Sequence, residues 1–135
     1  MTESKSNILE NAARTLVFLM AALQGAYAIF AFIDPIAFSV VRGTELANVV
    51  DADWVQIYAS RTLFVSLIIG FLLYLKHYKI LVWAALFGTV MPITDAYLAI
   101  EAHAENKVVY KHIATVIYLL ITSFLLNRVV KANDN

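Results

Sequence analysis

The stretch VWAALFGTVMPITDAYLAI, residues 82–100, is apolar and long enough to cross a bilayer, yet it carries the carboxylate of Asp95 within it. An ionisable group in hydrocarbon is costly and needs a partner or a purpose. The preceding apolar run holds Arg61, within Ser60-Arg61-Thr62, and the following one opens on His112. Three neighbouring runs thus each carry one such group.

The rest of the chain fits a membrane protein. Of 135 residues 61% are hydrophobic and only 15% charged, well to the apolar side of ordinary soluble domains. The apolar residues gather in four runs, at about 12–33, 54–75, 80–100 and 108–127, each near the length that a ~30 Å hydrocarbon core demands. The first run exceeds a signal-peptide h-region and no small-x-small site ends it, so it reads as a span. We expect an all-α fold, a four-transmembrane-helix bundle running up-down-up-down as one integral membrane domain over residues 1–135. The segment between the first two spans, with Arg42 and Glu45 beside an apolar stretch, is mildly amphipathic and is expected to lie at the interface. Asp34-Pro35 closes the first span, because proline disfavours helical geometry in the residue before it.

Net charge is zero, so no nucleic-acid surface is expected. Without cysteine, thiol catalysis and thiolate metal sites are excluded. Glu101, His103 and Glu105 have no recognised metal spacing, and no cofactor motif is present, so neither metal nor cofactor is expected. Lys5, Arg14, Lys76, Lys79, Arg128 and Lys131 flank one side of the bundle, against Arg42, Lys107 and Lys111 on the other. The positive-inside rule then puts the N- and C-termini in the cytoplasm.

That topology brings the ionisable groups to similar depth. Arg61 falls ~12 Å below the outer start of span two and Asp95 ~9 Å below the outer end of span three, while His112 lies within roughly a turn of the start of span four. Asp34 ends span one on the same side. An Arg61–Asp95 pair would gain about 4 kcal/mol at an effective dielectric near 20. Inserting the two charges costs about 6 kcal/mol, so hydrogen bonds from neighbours or water must close the difference. Tyr58 and Thr115 stand one turn from Arg61 and His112. Gln24 and Tyr27 share a stripe of span one with Asp34. Pro92 frees the carbonyl of Gly88 and is expected to kink span three, leaving room beside Gly88 and Met91. The expected site is therefore a pocket with Asp95, Arg61 and His112 as catalytic residues, lined by Asp34, Tyr58, Gln24, Tyr27, Gly88, Met91 and Thr115.

The arginine in YASRTLFVSLIIG, the aspartate in MPITDAYLA, the histidine in YKHIATVIYLL and the Asp34-Pro35 end of span one together resemble the small four-helix proteins of the DUF4267 family, which are similar to the wider DoxX-like set. The resemblance implies the four-span fold and a shared polar site, and no settled activity.

The residue inventory allows cofactor-free acid–base chemistry, either epoxide opening or isomerisation, on a lipophilic small molecule. Asp95 would serve as acid or base, Arg61 would hold an anionic intermediate, and His112 would relay protons. The alternative is a non-enzymatic ligand-binding or scaffold protein in which Arg61–Asp95 is a structural ion pair. Transport is a weaker third choice, since four spans carry no inverted repeat. The partners expected are the lipid bilayer and the lipophilic ligand, with a homodimer left open.

Overall fold

The computed structural model describes residues 3–134, with side chains from residue 7 onward. The described residues are helical apart from short connections: α1 (Glu3–Ile33), α2 (Pro35–Arg42), a 3-10 turn (Val49–Asp51), α3 (Ala52–Tyr74), α4 (Tyr78–Gly88), α5 (Val90–Glu101) and α6 (Asn106–Asn133). Four segments are long and apolar enough to span a membrane: Asn7–Ile33, Val49–Tyr74, Tyr78–Glu101 and Asn106–Asn133. The protein is thus a four-span helical bundle, with α2 as the short segment between spans one and two.

Local chemistry sets the breaks. Asp34 stops α1 and starts α2: its Oδ1 accepts the N–H of Ala37 at 2.9 Å, and Pro35 occupies the first helical position, where its missing N–H costs nothing. Gly43 ends α2 with φ +77, a left-handed cap that any side chain would strain. The third span is interrupted at Thr89, directly after Gly88, so the break expected from Pro92 falls within the turn preceding it.

Two different kinds of packing hold the bundle. Around the two termini and the 75–77 turn, hereafter the terminal end, α1, α4 and α6 share a core of Ala13, Val17, Tyr78, Leu81, Leu126 and Val129, with Ile69, Leu72 and Leu73 of α3 packed against it. Hydroxyl-to-carbonyl bonds cross between helices from Ser66 to Ala21 at 2.7 Å, Tyr118 to Leu16 at 2.6 Å and Ser123 to Val82 at 2.9 Å. Between α1 and α3 the backbones approach closely on Ala21, Gly25, Ala28 and Ala59.

At the opposite end, the α2 end, α1 stays with α3 and α5 stays with α6, and α3 and α5 have almost no direct packing. The space between the two pairs is roofed by α2. Its Phe38, 2% exposed, seats against Tyr27, Phe30 and Tyr58 at ring-centroid distances of 5.5 to 6.0 Å. Large apolar side chains such as Phe18, Phe64, Leu67, Phe87, Ile117 and Phe124 face outward, as lipid-facing positions require.

Candidate functional site

Beneath α2, between the two helix pairs, lies a cavity of about 380 Å³. Its lower part is apolar, lined among others by Val17, Ile69, Leu81, Ala84 and Leu119, and its polar groups gather under α2. Volume and polarity match sites for small ligands, which are mostly apolar with a few polar groups that orient the occupant.

The polar end is organised by Arg42, the last residue of α2. Its Nη2 pairs directly with Oδ1 of Asp95 on α5, its Nη1 donates to the Tyr58 hydroxyl at 3.2 Å, and its guanidinium lies 5.1 Å from the Tyr58 ring centroid. The Arg42 and Asp95 side chains are 14% and 22% exposed, so the pair is largely sequestered. The carbonyl end of α2 is held from α6. Lys111 Nζ donates to the Val41 carbonyl at 2.7 Å, and His112 Nε2 lies 3.3 Å from the Arg42 carbonyl. Cationic and N–H donors at a helix C-terminus satisfy carbonyls that the helix leaves open.

The His112 contact has a chemical consequence. A carbonyl oxygen can only accept, so Nε2 must carry the proton, and in neutral imidazole Nδ1 then holds the lone pair. That Nδ1 is 3.9 Å from Oδ2 of Asp95, beyond hydrogen-bond distance. Among the described residues neither atom has a hydrogen-bond partner, so a carboxylate oxygen and a basic nitrogen stand together at the cavity's polar end.

Of the residues singled out in the sequence, Asp95, His112, Tyr58, Gln24, Tyr27, Gly88, Met91 and Thr115 all line this cavity. Two do not. Arg61 is exposed and makes no ion pair or hydrogen bond among the described residues. The expected Arg61–Asp95 partnership is replaced by Arg42–Asp95. Helical register explains the correction: Arg61 is turned about 60° from Tyr58 on α3, off the stripe formed by Ala59, Thr62 and Ser66 that faces the bundle. Asp34 is exposed and occupied as the cap of α2, away from the cavity.

Arg42 is the residue that sequence reasoning missed, along with Lys111. A signal for it existed in the spacing of Phe38 and Arg42, which puts an aromatic and a cation on one face of α2. No group of three or more metal-ligating side chains converges among the described residues, and Glu101, His103 and Glu105 lie in and beside a loop.

The match with known families fits this architecture. No curated protein and no solved structure gives a significant match. The family model described as a domain of unknown function, DUF4267, matches residues 13–126, which runs from early in α1 to late in α6 and takes in every cavity-lining element. The chain belongs to the DUF4267 family.

Proposed function

We propose that the protein, acting as one integral membrane domain with both termini cytoplasmic, is a cofactor-independent acid–base enzyme for a lipophilic molecule carrying an oxygen function. The observation that carries this is the juxtaposition of His112 Nδ1 and Asp95 Oδ2, 3.9 Å apart and beside Arg42, at the polar end of an otherwise apolar cavity. The structural correction moves the roles. Asp95 commits Oδ1 to Arg42, so His112 Nδ1 is the better placed base, and Arg42 with Tyr58 takes the part first given to Arg61.

Two reactions use the same parts. In isomerisation, Nδ1 takes a proton from a carbon next to a carbonyl. The electron pair moves onto the carbonyl oxygen, which Arg42 and the Tyr58 hydroxyl stabilise, and the proton returns at the far carbon of the conjugated system. In epoxide hydrolysis, Nδ1 takes a proton from water as its oxygen bonds to a ring carbon. The ring C–O bond breaks, and the alkoxide recovers that proton. Isomerisation needs only the substrate and the chain's own groups, and hydrolysis needs in addition one water molecule, whose oxygen ends in the diol.

The test is turnover by protein in lipid nanodiscs against a panel of lipophilic epoxides and β,γ-unsaturated ketones, followed by mass spectrometry, with deuterium uptake from D₂O marking proton transfer. Wild type should convert at least one class, and His112→Ala should lower the rate about 10²-fold or more. No change in any member of the panel counts against an enzyme.

A second reading has its own support. Arg42–Asp95 ties the connecting segment to the third span, as a structural ion pair in a ligand-binding or scaffold protein would. Loss of folding in each single variant, rescued by Arg42→Met with Asp95→Leu, favours it.

A further inference from the structure

Arg61 is a permanent cation in an apolar span. It is exposed, and the bundle supplies no anion for it among the described residues. Its place on α3 is specific. Tyr58, three residues before, and Val65, four after, both line the cavity, whereas Phe64 and Ile68 beside it face outward at 64% and 41% exposure. Arg61 therefore stands at the lip of the flank where α3 and α5 leave the cavity without a wall. Across that flank, α5 contributes Met91, 46% exposed, and the exposed Thr94, both of which also line the cavity.

Depth narrows the choice of anion. Trp54, 67% exposed, is two turns nearer the α2 end on almost the same face and is suited to the headgroup level. Arg61 lies about 10 Å deeper along the axis, and an arginine at that depth extends its side chain back toward the interface. The anion it meets there is one that the leaflet itself carries at headgroup level.

We infer that Arg61 is the binding group of an acidic-lipid site at the lateral mouth of the cavity, taking the phosphate of an anionic phospholipid from the leaflet at the α2 end. The guanidinium fork matches two phosphate oxygens, and an anionic lipid is preferred to a zwitterionic one because no headgroup ammonium offsets its phosphate. Neutralising the charge there removes the cost of an unpaired cation in hydrocarbon. The site does not depend on any chemistry within the cavity.

Trp54 provides a local reporter. In a Trp83→Phe background it is the sole tryptophan. The protein is reconstituted in phosphatidylcholine vesicles containing equal mole fractions of either acyl-brominated phosphatidylglycerol or acyl-brominated phosphatidylcholine. The acidic lipid should quench Trp54 at least twofold more strongly. Arg61→Gln should abolish that preference and Arg61→Lys should retain part of it, the part due to charge without the fork, with both variants folded by circular dichroism because Arg61 makes no hydrogen bond or ion pair among the described residues. Equal quenching by the two lipids in wild type overturns the inference. So does a preference undiminished in Arg61→Gln, which would place the lipid on another cation. A dimer lost in Arg61→Gln, with no lipid preference in wild type, would assign the arginine to a second copy of the chain instead.

Discussion

Arg42 and Asp95 join the end of a short connecting helix to α5, the second half of the third span, and this one pair both roofs the cavity and charges it. Removing one partner leaves the other sequestered without compensation, which costs about 3 kcal/mol or more. Arg42→Ala and Asp95→Ala should each lower the detergent melting temperature clearly, while Arg61→Ala should leave it within a degree or two. Equal losses at Arg42 and Arg61 in a thermal-shift assay would contradict the pairing.

Gly43 sets the direction in which α2 presents Arg42. A Cβ there would lie 2.7 Å from Val108 Cγ1 and 2.9 Å from Ala104 Cβ, on a backbone already at φ +77. Gly43→Ala should therefore destabilise by about 1–3 kcal/mol, combining the left-handed strain with the clash. Cleavage in the 43–51 connection by a protease added from the α2 side should rise in the variant.

Gly25 faces a tighter constraint than its helical setting suggests. An added Cβ would lie 3.0 Å from Ser66 Oγ, and that hydroxyl is already committed to the Ala21 carbonyl. Gly25→Val should force α1 from α3 and cost about 2 kcal/mol. Pairing it with Ser66→Gly should recover part of the loss, measured by unfolding in mixed micelles, and no recovery would mean that the contact is not the cause.

Gly88 behaves oppositely. Its Cβ would meet Leu119 Cδ1 at 3.8 Å and Met91 Cε at 4.0 Å, which is ordinary contact at the cavity wall. Gly88→Ala should stabilise by about 0.5–1 kcal/mol through helix propensity. Gly88→Phe should project into the cavity and abolish uptake of a fluorescent lipophilic probe without unfolding the bundle. Probe binding unchanged by the larger residue would show that the cavity is not where the probe sits.

The four-helix architecture was legible because its signal is carried by run length and composition, which tertiary detail barely perturbs. Asp95 and His112 were legible for a related reason: an ionisable residue inside an apolar run is conspicuous and rarely faces lipid. Arg61 was conspicuous in the same way and went elsewhere, because depth along a helix says nothing of rotation about it. The small and polar stripe of Ala59, Thr62 and Ser66 marks the inward face of α3, and Arg61 is turned about 100° or more from each of them. Arg42 was hidden by its setting. In one dimension it belongs to an amphipathic connector, where a cation reads as a surface charge. Only the fold of α2, with Asp34 opening it, Gly43 closing it and Phe38 seated among aromatics, carries that cation over the cavity.

The unwalled flank between α3 and α5 also changes what concentration means for anything that occupies the cavity. A molecule arriving through that side comes from the hydrocarbon, so occupancy is set by its mole fraction in the bilayer and not by its amount per volume of water. Adding empty vesicles at fixed total ligand should dilute the occupant out of the protein, and a dissociation constant quoted in aqueous units would drift with the lipid content of every assay.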